Sequence, residues 1–508
     1  MSDVGGLFEA AALAKEENTF RHACHEQVHD ESGVRRSDAI LDDRQAAAVR
    51  CRLHGTVDSL DRDIELFCER LYCRVEIGEQ DIVTKLIDLS ASIAWQPVAC
   101  DLFLRVHTSK YANFELMSLL ESVARVEHAL RPLITGMPPM LATRIFSYGR
   151  TQFLNRFALE RPLPRTIEYP GITAWGLHFK MPIWNAAGMF KKGEGYEVVS
   201  AQGAGAYVAG TTTSRARSGN IGKGILWPTV AYPRSGAASN WMGLPNEGHA
   251  MVASRLSRIE KVAGCPIGAS VASQPELVES DALRELVAGM QDYDRANVDF
   301  LELNESCPNV SSDHQGSGLD DSLIRRLEYV STHFLRLRQR SLPVIVKFSV
   351  DTNHEQLEEL LHILITLRFD GVILGNTSTH YAQKRSSIHV FERTLYDRFT
   401  TTFGGGLSGR IVNGDSLKLS ALAVSILGRL SPSEEFHVIR CGGINDAEDL
   451  QESFNNGIIM NQWYTGYFDA FARHGHDVYA DLESHIHFRP SLTPNESRRL
   501  VSSEETLS

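Results

Sequence analysis

The sequence predicts an α/β chain: a closed (β/α)8 barrel of the TIM type, preceded by a mostly helical extension. Three observations predict it. Near residue 172 the apolar pattern changes from three- and four-residue spacing to short β-branched runs. Eight such runs follow, each separated from the next by a segment long enough to hold a helix or a crossover. The polar residues gather where each run ends, which is where barrels of this type carry their chemistry.

Taken in order, residues 1–42 are polar and are expected to be a flexible N-terminal segment. His22, Cys24, His25 and His29 crowd together there, but no second ligand cluster accompanies them. They read as a polar helix face, and no metal site is expected. Residues 43–160 carry amphipathic periodicity through EQDIVTKLIDLSASIAW, NFELMSLLESVARVEHALRPLI and MLATRIFSYGRTQFLNRFAL, and form a helical module. RPLPRTIEYPG (161–171) has three prolines and cannot continue a helix. The barrel then occupies 172–485, with strands at PIWNAAG (182), AYVAGTT (206), PIGASVA (266), DFLELNES (299), PVIVKFS (343), GVILGNT (371), VIRCGG (438) and GIIMNQW (457). A doubly wound open sheet is the alternative, but it has no natural place for eight such units. Residues 486–508 are expected to be a flexible C-terminal tail.

Composition narrows the function. The 508 residues exceed one ordinary core, and the 43% hydrophobic and 22% charged fractions are those of a globular protein. A net charge of −12 without a long basic run excludes nucleic acid as an expected partner. Eight cysteines include no CxxC pair, which suits free thiols in a reducing, cytoplasmic setting. Glu9, Lys15 and Glu16 interrupt any signal-like start, and the apolar stretch 86–104 contains Asp88, Pro97 and Asp101, so no span is expected. Attachment to a membrane surface stays open, because Arg125, Arg131, Arg144, Arg150 and Arg156 can snorkel at an interface. Nothing in the sequence determines the oligomeric state.

The strand ends supply Asn185, Thr211, Ser270, Asn304 with Cys307 and Asn309, Lys347, Asn376 with Thr377, Gly442 with Gly443, and Tyr464 with Thr465. A mouth rich in carboxamides and hydroxyls suits a planar ligand with many hydrogen bonds, such as a pyrimidine or an isoalloxazine. CGGIND (441–446), WYTG (463–466) and GGGLSGR (404–410) place glycines and hydroxyls where barrels often hold phosphate. In LELNESCPNV (301–310) the cysteine, taken alone, reads equally as core filler, metal ligand, half a disulfide or a proton acceptor.

The ordered series NAAGMFKKGEGYE, GTTTSRARSGN, NWMGLPNEG, LNESCPN, VKFS, GNTST, GGLSGR, CGGIND and WYTG resembles the dihydroorotate dehydrogenase family, FMN-dependent barrel flavoproteins of pyrimidine (UMP) biosynthesis. The resemblance covers about residues 172–475. It implies oxidation of dihydroorotate to orotate, an oxidoreductase reaction on a CH–CH bond, with an electron acceptor that the sequence does not identify. It places substrate contacts on Lys191, Asn240, Asn304, Asn309, Asn376 and Thr377, with backbone from Gly243 and Leu244. It places FMN contacts on Ala187, Gly188, Thr211, Lys347, Ser408, Gly409, Gly442, Gly443, Tyr464 and Thr465. Lys347 matches the lysine that stabilises negative charge on the flavin, and Cys307 the base that takes the C5 proton while hydride leaves C6.

The sequence also departs from the family pattern. Glu305 stands where an apolar residue is usual, and Arg440 is its expected cationic partner; VSSDHQGSG (310–318), with Asp313 and His314, replaces the usual closing loop. NAAGMFKKGE and GTTTSRARSGN resemble the quinone-using branch, in which helices before the barrel form a quinone tunnel, a place that residues 115–157 would fill. SCPNV and MGLPN resemble the soluble, cysteine-using branch. The competing readings are a flavin-dependent reductase of another planar ring and a catalytically quiet FMN- or pyrimidine-binding protein.

Overall fold

A computed structural model describes residues 117–306 and 319–486. The segment 1–42, the module up to residue 116, Cys307, Asn309, Asp313, His314 and the tail from 487 lie outside the described residues.

Each of the eight apolar runs forms a strand. They are β1 (Ile183–Asn185), β2 (Tyr207–Thr212), β3 (Ile267–Val271), β4 (Phe300–Asn304), β5 (Val344–Phe348), β6 (Gly371–Leu374), β7 (His437–Cys441) and β8 (Met460–Trp463). All pair in parallel, in the order β1-β8-β7-β6-β5-β4-β3-β2. Helices cover their outer face, so both faces are buried and the strands read as continuous apolar runs.

The seam between β1 and β2 closes without a regular ladder. The Gly205 N–H donates to Ile183 O at 3.1 Å. Asn185 does the rest: its Nδ2 donates to Val208 O at 2.8 Å and its Oδ1 accepts from Val208 N at 3.2 Å. Asn185, expected at the mouth, is thus a buried stitch in the barrel wall. The antiparallel hairpin Ile172–Ala174 and Leu177–Phe179 seals the opposite end of the barrel, where Phe179 stacks on Trp184 with ring centroids 5.2 Å apart. At the mouth, Thr229–Tyr232, Ala237–Asn240 and Gly406–Gly409 form a three-stranded antiparallel sheet.

Two helices precede the barrel, α1 (Leu119–Ile134) and α2 (Pro139–Phe157). Ser118 and Glu121 form a reciprocal capping box that fixes the start of α1. Leu120, Ala124, Leu154 and Phe157 belong to the barrel's own buried cluster, and Ile134, Ala142 and Phe146 to a second one with the mouth sheet. The boundary expected at residue 160 therefore does not separate two cores among the described residues. Both helices are part of the barrel's packing, because the apolar face that made them legible as amphipathic is turned onto it.

One described helical stretch, Arg410–Leu430, is long and apolar enough to cross a membrane. Most of it is α4, which follows α3 (Asp321–Val330) in the labels used here and spans Asn413–Leu430. Its Leu419, Ala423 and Ile426 are buried in the barrel core.

Candidate active site

The polar strand ends converge on one side of the mouth as a connected chain of hydrogen bonds. Asn304, at the end of β4, donates through Nδ2 to Thr211 Oγ1 at 2.7 Å, and Thr211 shares a bond of 2.9 Å with Ser270 Oγ. Asn304 Oδ1 accepts from the Ser306 N–H at 3.1 Å and its hydroxyl at 2.8 Å. Ser306 Oγ accepts in turn from Asn376 Nδ2 at 2.8 Å. Ser306 therefore ties together the two carboxamides on β4 and after β6. It was not among the expected site residues. The Asn-x-Ser spacing was its signal, since an asparagine side chain readily bonds the backbone two residues on.

The opposite side is built from backbone. Gly442 and Gly443 follow β7 with φ of 104° and 85°, which only glycine adopts freely. Their carbonyls are taken up from behind: Ser416 Oγ donates to Gly442 O at 2.6 Å and Asn413 Nδ2 to Gly443 O at 3.1 Å. A side chain at Gly443 would run into the Asn413 backbone. Next come α5 (Ala447–Asn455) and, after β8, α6 (Thr465–His474). Thr465 opens α6 and shares a 2.9 Å bond with Ser408 Oγ from the mouth sheet. A glycine loop, two hydroxyls and a helix N-terminus meet here, which is a chemistry suited to phosphate.

Between these sides lies one cavity of about 100 Å³ that opens to solvent. Ala187, Gly188, Lys191, Thr211, Asn240, Leu244, Asn304, Asn376, Thr377, Ser408, Gly409, Gly442, Gly443, Tyr464 and Thr465 line it, with Cys441 and Met242. These expected residues thus share one space, whereas Cys307 and Asn309 lie outside the described residues. Gly243 is the link between the lining residues Met242 and Leu244. Lys347 is buried in the barrel interior, its Nζ donating to Gln462 Oε1 at 3.0 Å. Gly188, beside Lys191 and Tyr464 on this wall, has a φ of 97°, a turn that glycine adopts freely.

Arg150, on α2, reaches the same wall. Its guanidinium bonds the Tyr464 hydroxyl, donates to Gly188 O at 3.2 Å and lies over the Tyr464 ring at 5.5 Å. The sequence placed Arg150 only among five scattered arginines; no local pattern marks it as a cavity neighbour.

Two expectations about charge are corrected. The partner of Glu305 is Arg326 on α3, which grips the carboxylate with Nε and Nη2, the latter at 2.8 Å. Arg440 lies elsewhere. Strand parity turns it outward from β7, where it donates to Ser416 Oγ at 3.1 Å, Ser453 Oγ at 2.7 Å, and the carbonyls of Asp449 and Asn413 at 3.2 Å each. Burial pulls its pKa down to about 10. Neither residue lines the cavity. The acid inside the barrel is instead Glu302, two residues before Asn304 and on the same inward face of β4, fully buried. No group of three or more metal-ligating side chains occurs among the described residues.

A family model described as dihydroorotate dehydrogenase matches residues 171–486. Among curated proteins, the dihydroorotate dehydrogenase (quinone) of Marinobacter nauticus is 28% identical over 343 residues, covering 66% of this chain and 93% of that protein. That of Halorhodospira halophila is 30% identical over 299 residues, covering 57% and 79%. Among solved structures, the ligand-free DHODH of Eimeria tenella superposes with a TM-score of 0.54 at 21% identity, covering 66% of this chain and 92% of that one. The same enzyme with ferulenol gives 0.53 at 20%, covering 66% and 89%. The barrel, the ordered motifs and a family match over more than half the chain agree: this chain belongs to the dihydroorotate dehydrogenase family.

Proposed function

We propose that the protein oxidises dihydroorotate, or a close analogue, to orotate, with FMN as its bound cofactor and a quinone as electron acceptor. The observation that carries this reading is the two-sided cavity: carboxamides linked through Ser306 on one side, a glycine and hydroxyl cradle on the other. The amide side offers donors and acceptors to a pyrimidine ring, and Lys191 a cation to its carboxylate. The cradle of Gly442, Gly443, Ser408 and Thr465 would hold the FMN phosphate, and the buried Lys347 would stabilise negative charge on the flavin. FMN, when bound, supplies the acceptor for the hydride that leaves C6.

Cys307 takes the C5 proton, forming the C5–C6 double bond as that hydride leaves. With Glu305 held by Arg326, the next residue that could serve as a base on this segment is occupied. Lys191, Asn304 and Asn376 fix the ring. The quinone assignment follows the names of the curated relatives. Arg150 on α2 bonds Tyr464, which puts that helix against the cavity wall. Val126, Leu130, Leu133 and Met137 form an exposed apolar stripe along α1 and just past it, consistent with docking on a membrane surface that holds the quinone.

The test is direct. The purified protein should be yellow and should bleach when dihydroorotate is added without oxygen. Cys307→Ala should keep its FMN and its affinity for orotate but bleach about 10²–10⁴-fold more slowly. A protein that neither carries nor takes up FMN removes the reading, and a Cys307→Ala protein that bleaches at the original rate removes the thiol as base.

A further inference from the structure

Under the cavity the barrel interior holds a carboxyl group with no part in the reaction described so far. Barrel interiors are normally filled by branched apolar side chains. Glu302 is fully buried there, and so are Gln462 and, at 1% exposure, Lys347. The three come from β4, β8 and β5 and form one line. Lys347 Nζ donates to Gln462 Oε1 at 3.0 Å, and Gln462 Nε2 donates to Glu302 Oε1. The amide thus turns its oxygen to the ammonium and its N–H to the carboxyl, the orientation that suits a cation at one end and an anion at the other. Glu302 Oε2 accepts no hydrogen bond from any described residue.

A buried carboxyl with one oxygen unsatisfied is costly, and a leucine or methionine of similar volume would pack without that cost. Burial, the larger effect, holds the Glu302 carboxyl above the usual carboxylate range, and Lys347 and the Gln462 amide pull it part of the way back. Lys347 also lies beside the Cys441 thiol, which lines the cavity. The line therefore runs from the barrel centre to the floor of the cavity.

We propose that Glu302, acting through Gln462, is a positioning and counter-charge residue that offsets the field of Lys347 at the cavity floor and so lowers the reduction potential of the flavin bound above it. The proposal rests on the FMN reading of the cavity. In a medium of low dielectric constant the ammonium favours any negative charge placed over it, and the carboxylate behind it subtracts from that effect. Removing the carboxylate charge while keeping its shape leaves the lysine uncompensated. Reduction of the bound flavin then becomes more favourable.

The experiment is a potentiometric titration with reference dyes on the FMN-loaded protein and on Glu302→Gln. The variant should bind FMN in equal stoichiometry. Its reduction equilibrium should shift about tenfold toward the reduced form, which for a two-electron couple is a rise of about 30 mV. A potential equal to that of the unaltered protein, or a lower one, overturns the proposal, whereas a merely structural role for Glu302 would alter melting and leave the potential in place. Should Glu302→Gln fail to fold, Gln462→Met decides the matter. Among the described residues it removes the one donor to Glu302 and cuts the link to Lys347, so the potential of that variant must rise as well. If the unaltered protein takes up no FMN, it is the cofactor reading that has failed.

Discussion

Two buried charged regions on neighbouring layers of one barrel behave differently. Arg440, facing out from β7, meets two serine hydroxyls and two backbone carbonyls, so each guanidinium nitrogen has an acceptor. Lys347 and Glu302, facing in from β5 and β4, share a single glutamine between them, and one carboxyl oxygen is left over. The outer site joins β7 to the helices α4 and α5 and does not itself line the cavity. The inner one lies beneath it. A buried charge whose nitrogens all find acceptors acts as a structural clamp, whereas an incompletely satisfied one beside a cavity keeps a field available for chemistry.

The largest effect that tests this contrast is expected at Arg440. Arg440→Met strands the acceptors around it and should cost about 3–5 kcal/mol of stability, read from urea denaturation. The spectrum and potential of bound FMN should stay unchanged; a shifted potential would break the distinction between the two layers. At Lys347 the order reverses. Lys347→Met should slow flavin reduction by dihydroorotate about 10²–10³-fold, as loss of one preorganised charge commonly does. Stopped-flow bleaching measures it, and a rate within twofold of the original would put the lysine in the structural class.

A third buried group, His249, sharpens the structural class. Its Nδ1 bonds Thr212 Oγ1 at 2.8 Å, and Thr212 bonds the Tyr293 hydroxyl at 2.8 Å. Burial lowers its pKa from 6.5 to about 3. Between those values the unfolded chain binds a proton that the folded one refuses, so stability is full above pH 6.5 and falls as the pH drops toward 3. Between pH 7 and pH 5 this single residue should cost about 2 kcal/mol. His249→Asn should be less stable at pH 7 but show a flatter dependence, and an equally steep one would assign the acid sensitivity elsewhere. The smallest effect is expected at Ser306. Ser306→Ala removes the hydroxyl between Asn304 and Asn376 and should weaken orotate binding about tenfold, or about 1.4 kcal/mol, with FMN still bound. Unchanged orotate affinity would show that the two asparagines hold their places without it.

Much of this molecule is legible in its linear sequence. Eight β-branched runs spaced by helix-length segments were enough for the barrel, because burial on both faces of a parallel strand forces a continuous apolar run. The glycines at 442 and 443 and the carboxamides at 304 and 376 were readable too, since strand ends and left-handed turns demand particular residue types locally. What the linear pattern could not carry was the identity of partners. Asn185 had the same signature as Asn304, yet one stitches the wall and the other faces the cavity; Glu305 chose Arg326 over Arg440. Arg150 meets Tyr464 across 314 residues of chain, and Glu302 meets Gln462 across 160. Residue type and spacing report what one strand or helix needs from its own neighbours. Which charge ends beside which is decided by strand parity and the closing of the barrel, and those exist only once the chain has folded.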